Sequence, residues 1–463
     1  MNMKPELSWG IIAVVIALFL ALFFSIEAGI YVLLFALVAN WVWKSPEESF
    51  LLLIIIAPLL PLLKATQTLG NLTLIKDVII ITLFLKTFFV PLIEQRLPYR
   101  KNLLFAPIVA LVLWSLFEVL QGGSTLAILR FREIVLYILM YFGVLYLSHT
   151  KKIMRTRAIV FGTTVVIVML LGIFQFWFAP DSTVLRFDPA RMIWIPRMAS
   201  TFGHPTVFAE YLITGMMLIL GILLARTKIS QLVKYKLYGV LLVSVILLYF
   251  TYTRAGWIGC AGGVVALFIA WMFSGKTYRV NMKSIAVIVI ALIVVFVGAL
   301  RFTPVGTFLQ TAIDPTYASN ADRISFVVQL ISQTSNADAL VGKGLGNVIT
   351  EARKGGDVSA VDIASGDSRT VQLSKDSTLV DNQYLKTFME MGVVGIVFTF
   401  WLFWRFFLAA QKATPALRLA GIGFLVAFMI QALFVDIWDV FPTNGIFWTL
   451  AALISQSKIG KGA

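Results

Sequence analysis

Apolar runs of membrane-crossing length recur along almost the whole chain, separated by short polar connections. They fall at about 9–25, 27–43, 50–63, 76–93, 102–120, 132–148, 157–178, 205–225, 237–252, 255–274, 284–301, 387–409, 418–436 and 442–455. An α-helix needs roughly 20 such residues to cross a hydrocarbon layer about 30 Å thick. The pattern predicts an all-α integral membrane protein with twelve to fourteen transmembrane helices. The spread comes from the third run, LLLIIIAPLLPLL, which is short and broken by proline and also fits a re-entrant segment. Residues 9–25 resemble a signal-peptide core, but no small-x-small cleavage site follows in SIEAG, so a retained first helix is expected.

Composition agrees with the pattern. Of 463 residues 59% are hydrophobic and 13% charged, and mean hydropathy is +0.91. Soluble domains run nearer 45–50% apolar and about 25% charged, so most water-soluble enzyme classes are excluded. The net charge of +15 would suit nucleic acid, but its distribution gives a different reason. Arg96, Arg100 and Lys101 share one loop, and Lys151, Lys152, Arg155 and Arg157 another; further basic clusters follow around 226–236, 276–283 and 405–418. They occupy every second loop, which is the positive-inside pattern. Both termini are then cytoplasmic, and nucleic acid drops out as a partner. The single cysteine, Cys260, sits in an apolar run and reads as a small core residue.

Two connections on the outer side are long. Residues 179–204 carry Arg186, Arg191 and Arg197, and residues 302–386 form an 85-residue segment with an apolar helical stretch, ISFVVQLI, at 324–331. Long loops in compact proteins are usually functional. The expected organisation is a transmembrane bundle over 1–301, a large extracytoplasmic loop over 302–386 and C-terminal transmembrane helices over 387–463.

Candidate chemistry concentrates on the outer side. Arg254, in YFTYTRAGWIG, lies at an outer turn, and Arg323, in SNADRISF, lies early in the large loop. Guanidinium groups match phosphate oxygens bidentately and stay charged. His204 precedes Pro205, which suits a first helical position, so His204 is expected as an N-cap. With two histidines and one cysteine no His/Cys metal site can be assembled. The run Gly342-Lys343-Gly344-Leu345-Gly346-Asn347 lacks Walker spacing but suits a tight turn whose amides approach a ligand. Last comes Asp381-Asn382-Gln383-Tyr384-Leu385-Lys386, joining the loop to the next span. Asp381 is expected either to cap that helix or to serve as a carboxylate general base, and Lys386 to pair with Glu390 at i,i+4.

In order, STFGHPTVFAEYL at 200–212, YTRAGWIG at 252–259, Arg323, GKGLGN at 342–347 and DNQYLKTFMEMGVVG at 381–395 resemble the O-antigen ligase and Wzy polysaccharide-polymerase family of bacterial envelope glycosyltransferases. Asn382, nine residues, Gly392, two residues and Gly395 fit a spacing found in the ligases. The ligase histidine is replaced by Asp381, which favours a polymerase over a ligase. The resemblance implies a GT-C-like helical fold acting on undecaprenyl-diphosphate-linked glycan at the bacterial cytoplasmic membrane, without nucleotide sugar, metal or other cofactor.

On that reading Arg254 and Arg323 hold the donor diphosphate, with Arg197, Asn382, Tyr384 and Gly344 as further substrate-binding candidates. Asp381 is the expected catalytic base, with His204 in reserve. Direct attack on the anomeric carbon would invert it. Partners are the lipid-linked oligosaccharide and membrane lipid, and a chain-length regulator protein is compatible with the same chemistry. A glycan-lipid transporter is the rival from another class. It would show related halves, whereas the ionisable groups within spans here, Lys86, Glu118 and Glu210, are scattered and no half repeats.

Overall fold

The computed structural model describes residues 26–64, 70–95, 102–123, 125–148, 150–179, 184–188, 193–225, 229–273, 335–346, 382–438 and 440–456. The run 9–25, the run 284–301 and the stretch 324–331 lie outside these. Helices dominate: α1 Ile26–Lys44, α2 Pro46–Ile56, α3 Leu60–Lys64, α4 Ile75–Phe84, α5 Val90–Ile93, α6 Phe105–Gly122, α7 Thr125–Leu145 and α8 Lys151–Phe178. After a hairpin of β1 Val184–Asp188 and β2 Ile193–Arg197 come α9 Pro205–Leu224, α10 Gln231–Phe250, α11 Arg254–Met272 and α12 Asn336–Val341. The chain ends with α13 Gln383–Gln411, α14 Pro415–Gln431 and α15 Thr443–Gln456.

The protein is a helical membrane protein. Among the described residues five helices are long and apolar enough to cross a bilayer: α8 from Lys152, α9, α10, α11 and α13. Shorter apolar helices include Phe105–Gln121 and Pro415–Gln431. Starts follow local chemistry. The hydroxyls of Thr150 and Ser230 accept from the amides of Ile153 and Val233, and Pro415 opens α14 where no amide is needed. The third apolar run is broken, as its prolines predict, into α2 and α3. The connection 179–204 is not a plain loop, because Val184 pairs with Arg197 and Asp188 with Ile193 in an antiparallel ribbon.

The described residues of 1–102, 132–204 and 441–463 form one compact unit, and those of 103–131 and 205–440 a second. In unit 1, Phe50, Leu53, Ile79, Ile80 and Tyr141 are fully buried. Between α4 and α5 the helix widens into a π-turn, Leu85–Phe89, where the Thr87 hydroxyl donates to Leu83 and lies 2.9 Å from the Gly143 carbonyl. Arg157 is more than a topological charge. It is buried, pairs with Glu47 at 2.5 Å and lies over the Phe50 ring.

In unit 2, backbones approach closely through small residues, the usual means of helix association in bilayers. A methyl group on Gly263 would lie 2.6 Å from the Gly423 carbonyl oxygen, one on Gly259 2.5 Å from Gln431 Cγ, and one on Gly221 2.6 Å from the Ala416 carbonyl oxygen. These contacts run α9 and α11 antiparallel to α14. Gly256 against Ala209 runs α9 and α11 parallel to each other.

The sharpest feature of unit 2 is inside α13. Gly392 has φ 64° and ψ −167°, outside the helical region. Tyr384 and Phe400 are sixteen residues apart yet stack with centroids 5.5 Å apart. A straight helix would separate them by about 24 Å. The segment 383–391 therefore folds back along 393–411, so the expected span 387–409 begins only after the break.

A Gly392→Ala substitution should be poorly tolerated. Left-handed backbone costs a non-glycine residue about 1–2 kcal/mol, and its methyl would lie 2.3 Å from the Leu340 carbonyl oxygen. Gly123→Ala carries the backbone cost alone, since φ is 56° with open space around it. Thermal melting in detergent should show a markedly larger drop for Gly392→Ala; equal drops would contradict the packing described.

Candidate functional site

The expected site residues at the start of α13 are held at both ends of the folded-back segment. At its beginning Asn382, not Asp381, is the N-cap: its side-chain oxygen accepts from the Leu385 amide at 3.0 Å. The helix starts at Gln383, four residues earlier than the predicted span, because this cap lies in extended backbone at φ −140° and ψ 113°. The Asn382 Nδ2 donates to the Leu433 carbonyl at 2.9 Å and the Gln383 amide to the Ala432 carbonyl at 2.9 Å. The Tyr384 hydroxyl donates to the Met429 carbonyl at 2.9 Å. All three acceptors lie in the last turn of α14 or the loop after it, so α13 begins where α14 ends.

The i,i+4 pair expected between Lys386 and Glu390 does not form. Lys386 makes an ion pair with Asp436, while Glu390 pairs with Arg130. Both Lys386 and Glu390 are buried, and a buried charge gains more from a partner on a neighbouring element than a surface i,i+4 contact supplies.

The far end of the segment is held by the glycine run. Gly342, Gly344 and Gly346 have φ of 102°, 89° and 76°, forming the tight turn read from the sequence. Its amides approach protein rather than an empty space: Lys343 N–H donates to the Met389 carbonyl at 2.9 Å and Gly346 N–H to Glu390 Oε1 at 3.2 Å. Gly344 itself is buried. Trp114 Nε1 donates to the Met391 carbonyl at 3.0 Å. The break at Gly392 releases carbonyls from the helical ladder, and these donors satisfy two of them.

Arg130 was not singled out by sequence reasoning, and Glu390 only as the expected partner of Lys386. Arg130 approaches with Nε 3.3 Å from Oε1 and Nη2 3.0 Å from Oε2, a two-pronged pair. Glu118 of α6, also buried, lies within electrostatic reach of Glu390, and neither of its carboxylate oxygens has a hydrogen-bond partner among the described residues. An outer-side arginine at the start of a span was the available signal, but its partner lies 260 positions away.

Arg254 is the first residue of α11, half-buried, following a turn in which Tyr252 has φ 48° and the Thr253 hydroxyl donates to the Thr251 carbonyl. Gly259 packs on Gln431, and Arg254 lies five residues, roughly 7 Å, further along the axis. That brings it level with residues just past α14, where Asn382 and Gln383 bind. The beginnings of α11 and α13 thus share one end of unit 2. Arg323 and Asp381 lie outside the described residues. Among the described residues no group of three His, Cys, Asp or Glu could hold a metal ion.

Residues 239–400 match the model of a family described as O-antigen ligase. The match takes in 162 of the 463 residues. No curated protein matches the chain. The O-antigen ligase match begins within α10 and ends after the Gly392 break. It takes in Arg254, the glycine turn and the start of α13, and leaves Arg130, Arg197 and His204 outside.

Arg197 and His204 belong to unit 1. Arg197 ends β2, half-buried, and His204 is the residue before α9. Partial burial of the ring and the Arg197 charge beside it lower the His204 imidazole below its ordinary 6.5, although the residue keeps an exposed surface. It is therefore neutral at pH 7. A group that binds its proton less well folded than unfolded adds stability above the unfolded pKa and loses it as pH falls towards the folded one. The melting temperature should fall as pH drops below 6.5 more steeply in the parent protein than in His204→Gln. Identical slopes would show that His204 titrates normally.

Proposed function

We propose that the chain is a polysaccharide polymerase. It transfers an undecaprenyl-diphosphate-linked glycan to the next lipid-linked repeat unit at the outer face of the bacterial cytoplasmic membrane. One observation supports this reading: within the part that matches the O-antigen ligase family, Arg254 and the Asn382 end of α13 stand at the same end of one helix bundle, level with each other. That arrangement suits a reaction with two demands. Charge grows on a diphosphate leaving group as the glycosidic bond breaks, and an acceptor hydroxyl must lose its proton.

Arg254 offers a cationic fork at the positive end of a helix dipole, which favours anionic oxygens. Arg323 is the proposed second cation, and it removes the need for a metal. Asp381 takes the acceptor proton, the hydroxyl oxygen bonds to the anomeric carbon with inversion, and the lipid diphosphate departs with the bonding pair. Arg197, Asn382, Tyr384 and Gly344 are proposed around the substrate. For Asn382 and Tyr384 the bonds described make that role one of holding backbone in place. A partner protein regulating chain length is compatible with this scheme.

A ligase, moving finished glycan to another acceptor, is favoured by the description of the matching family. Purified protein given a synthetic undecaprenyl-diphosphate repeat unit in EDTA should produce a ladder on a gel. Addition that appears only with a second acceptor would establish the ligase instead, and activity restored only by magnesium or manganese would remove metal independence.

The residue roles separate in the same assay. Asp381→Asn should lower the rate by about 10²–10⁴-fold, the usual cost of a lost general base, in protein that melts normally. Arg254→Lys keeps charge but loses the fork, so at least a tenfold fall is expected. If Asp381→Asn stays active and His204→Ala is dead, the base is His204.

A further inference from the structure

The segment 383–391 is a strut of nine residues whose direction is not inherited from the span that follows it, because Gly392 breaks the helix between them. Something else must aim it. At its start it is tied to the end of α14. At its other end every described restraint converges within three residues: Lys343 on the Met389 carbonyl, Trp114 on the Met391 carbonyl, and Arg130 with Gly346 on the Glu390 carboxylate.

Of these, only Glu390 joins two elements at once. Its Oε1 accepts from both the Arg130 Nε and the Gly346 amide, and its Oε2 from Arg130 Nη2. The glycine turn has no room to move on its own, since a methyl at Gly346 would lie 2.9 Å from the Leu126 carbonyl carbon and one at Gly342 2.5 Å from the Glu390 carbonyl oxygen. The carboxylate thus locks the strut tip to the start of α7 and to the large loop together.

We propose that Glu390, with Arg130, is a positioning residue for glycan transfer: the clamp fixes the angle of the strut 383–391 and so the place of Asn382, next in sequence to the proposed base, at its other end. The inference rests on the proposed transferase reading and deepens it. Charge accounting explains why the clamp has one cation. Glu118 places a second buried carboxylate near Glu390, so removing Arg130 would leave two carboxylates facing each other, an expensive arrangement. Deletion variants are for that reason poor tests, and length-changing variants are good ones.

Glu390→Asp keeps the charge but withdraws the carboxylate by one methylene, and Arg130→Lys keeps the charge but loses the two-pronged geometry. A misplacement of about 1 Å far from the chemistry can cost on the order of 10²-fold in rate. In the repeat-unit assay with full-length protein, both variants should lose at least tenfold in kcat. KM for the lipid-linked unit should stay within about twofold of the parent, and the melting temperature in detergent within a few degrees. Combining Glu390→Asp with Asp381→Asn should cost little beyond Asp381→Asn alone, because both act through one group.

Full kcat in folded Glu390→Asp and Arg130→Lys overturns the clamp, as does a loss that tracks melting temperature or appears only in KM. If one variant does not fold, the other decides. A parent protein that elongates nothing and transfers to no acceptor refutes the transferase reading itself, whereas an active parent with unaffected variants refutes the clamp alone.

Discussion

The left-handed break at Gly392 is the constraint from which the organisation of unit 2 follows. Backbone at φ 64° and ψ −167° cannot continue a helix, and only glycine adopts it at low cost. It releases carbonyls that must find donors in an apolar setting. Here the donors are a tryptophan from α6 and an amide from the glycine turn. Satisfying the broken ladder therefore pulls α6 and the large loop onto α13. The same break lets Tyr384 return to stack on Phe400, so a run that looks like one long span supplies a span and a strut.

The charges within the bundle obey the same rule of satisfaction. Buried ion pairs seldom stabilise a protein beyond what apolar residues would, yet breaking one is costly. Their value lies in specifying which elements meet. Arg130 with Glu390 joins α7 to the strut tip, and Lys386 with Asp436 joins its base to the loop after α14. In unit 1, Asp77 with Arg132 ties α4 to α7. Each pair connects segments distant in sequence, where apolar side chains would allow sliding.

Helix direction does the remaining work. Because α9 and α11 run parallel and α14 runs against them, small residues can bring backbones close along their whole length while the helix beginnings gather at one end. Those beginnings present the positive end of the backbone dipole. An arginine there adds charge to a field that already favours anions.

The apolar pattern alone determined that the chain is a helical membrane protein, because burying backbone in lipid leaves few alternatives. It marked the starts of most spans, the proline break between α2 and α3, the glycine turn and the Asn382–Gly392–Gly395 spacing. What it left open was direction and partnership. Nothing local distinguishes Asp381 from Asn382 as a cap, since both can accept from an amide; extended backbone at Asn382, tied to Leu433, decides it. Nothing local says that Lys386 turns to Asp436 and Glu390 to Arg130, because i,i+4 spacing is visible in a sequence and a contact across 260 positions is not. The fold-back at Gly392 is likewise silent in hydropathy, since a helix that returns on itself is as apolar as one that goes straight. Tertiary structure decided these points, because each depends on which distant group arrives to satisfy a buried donor or acceptor.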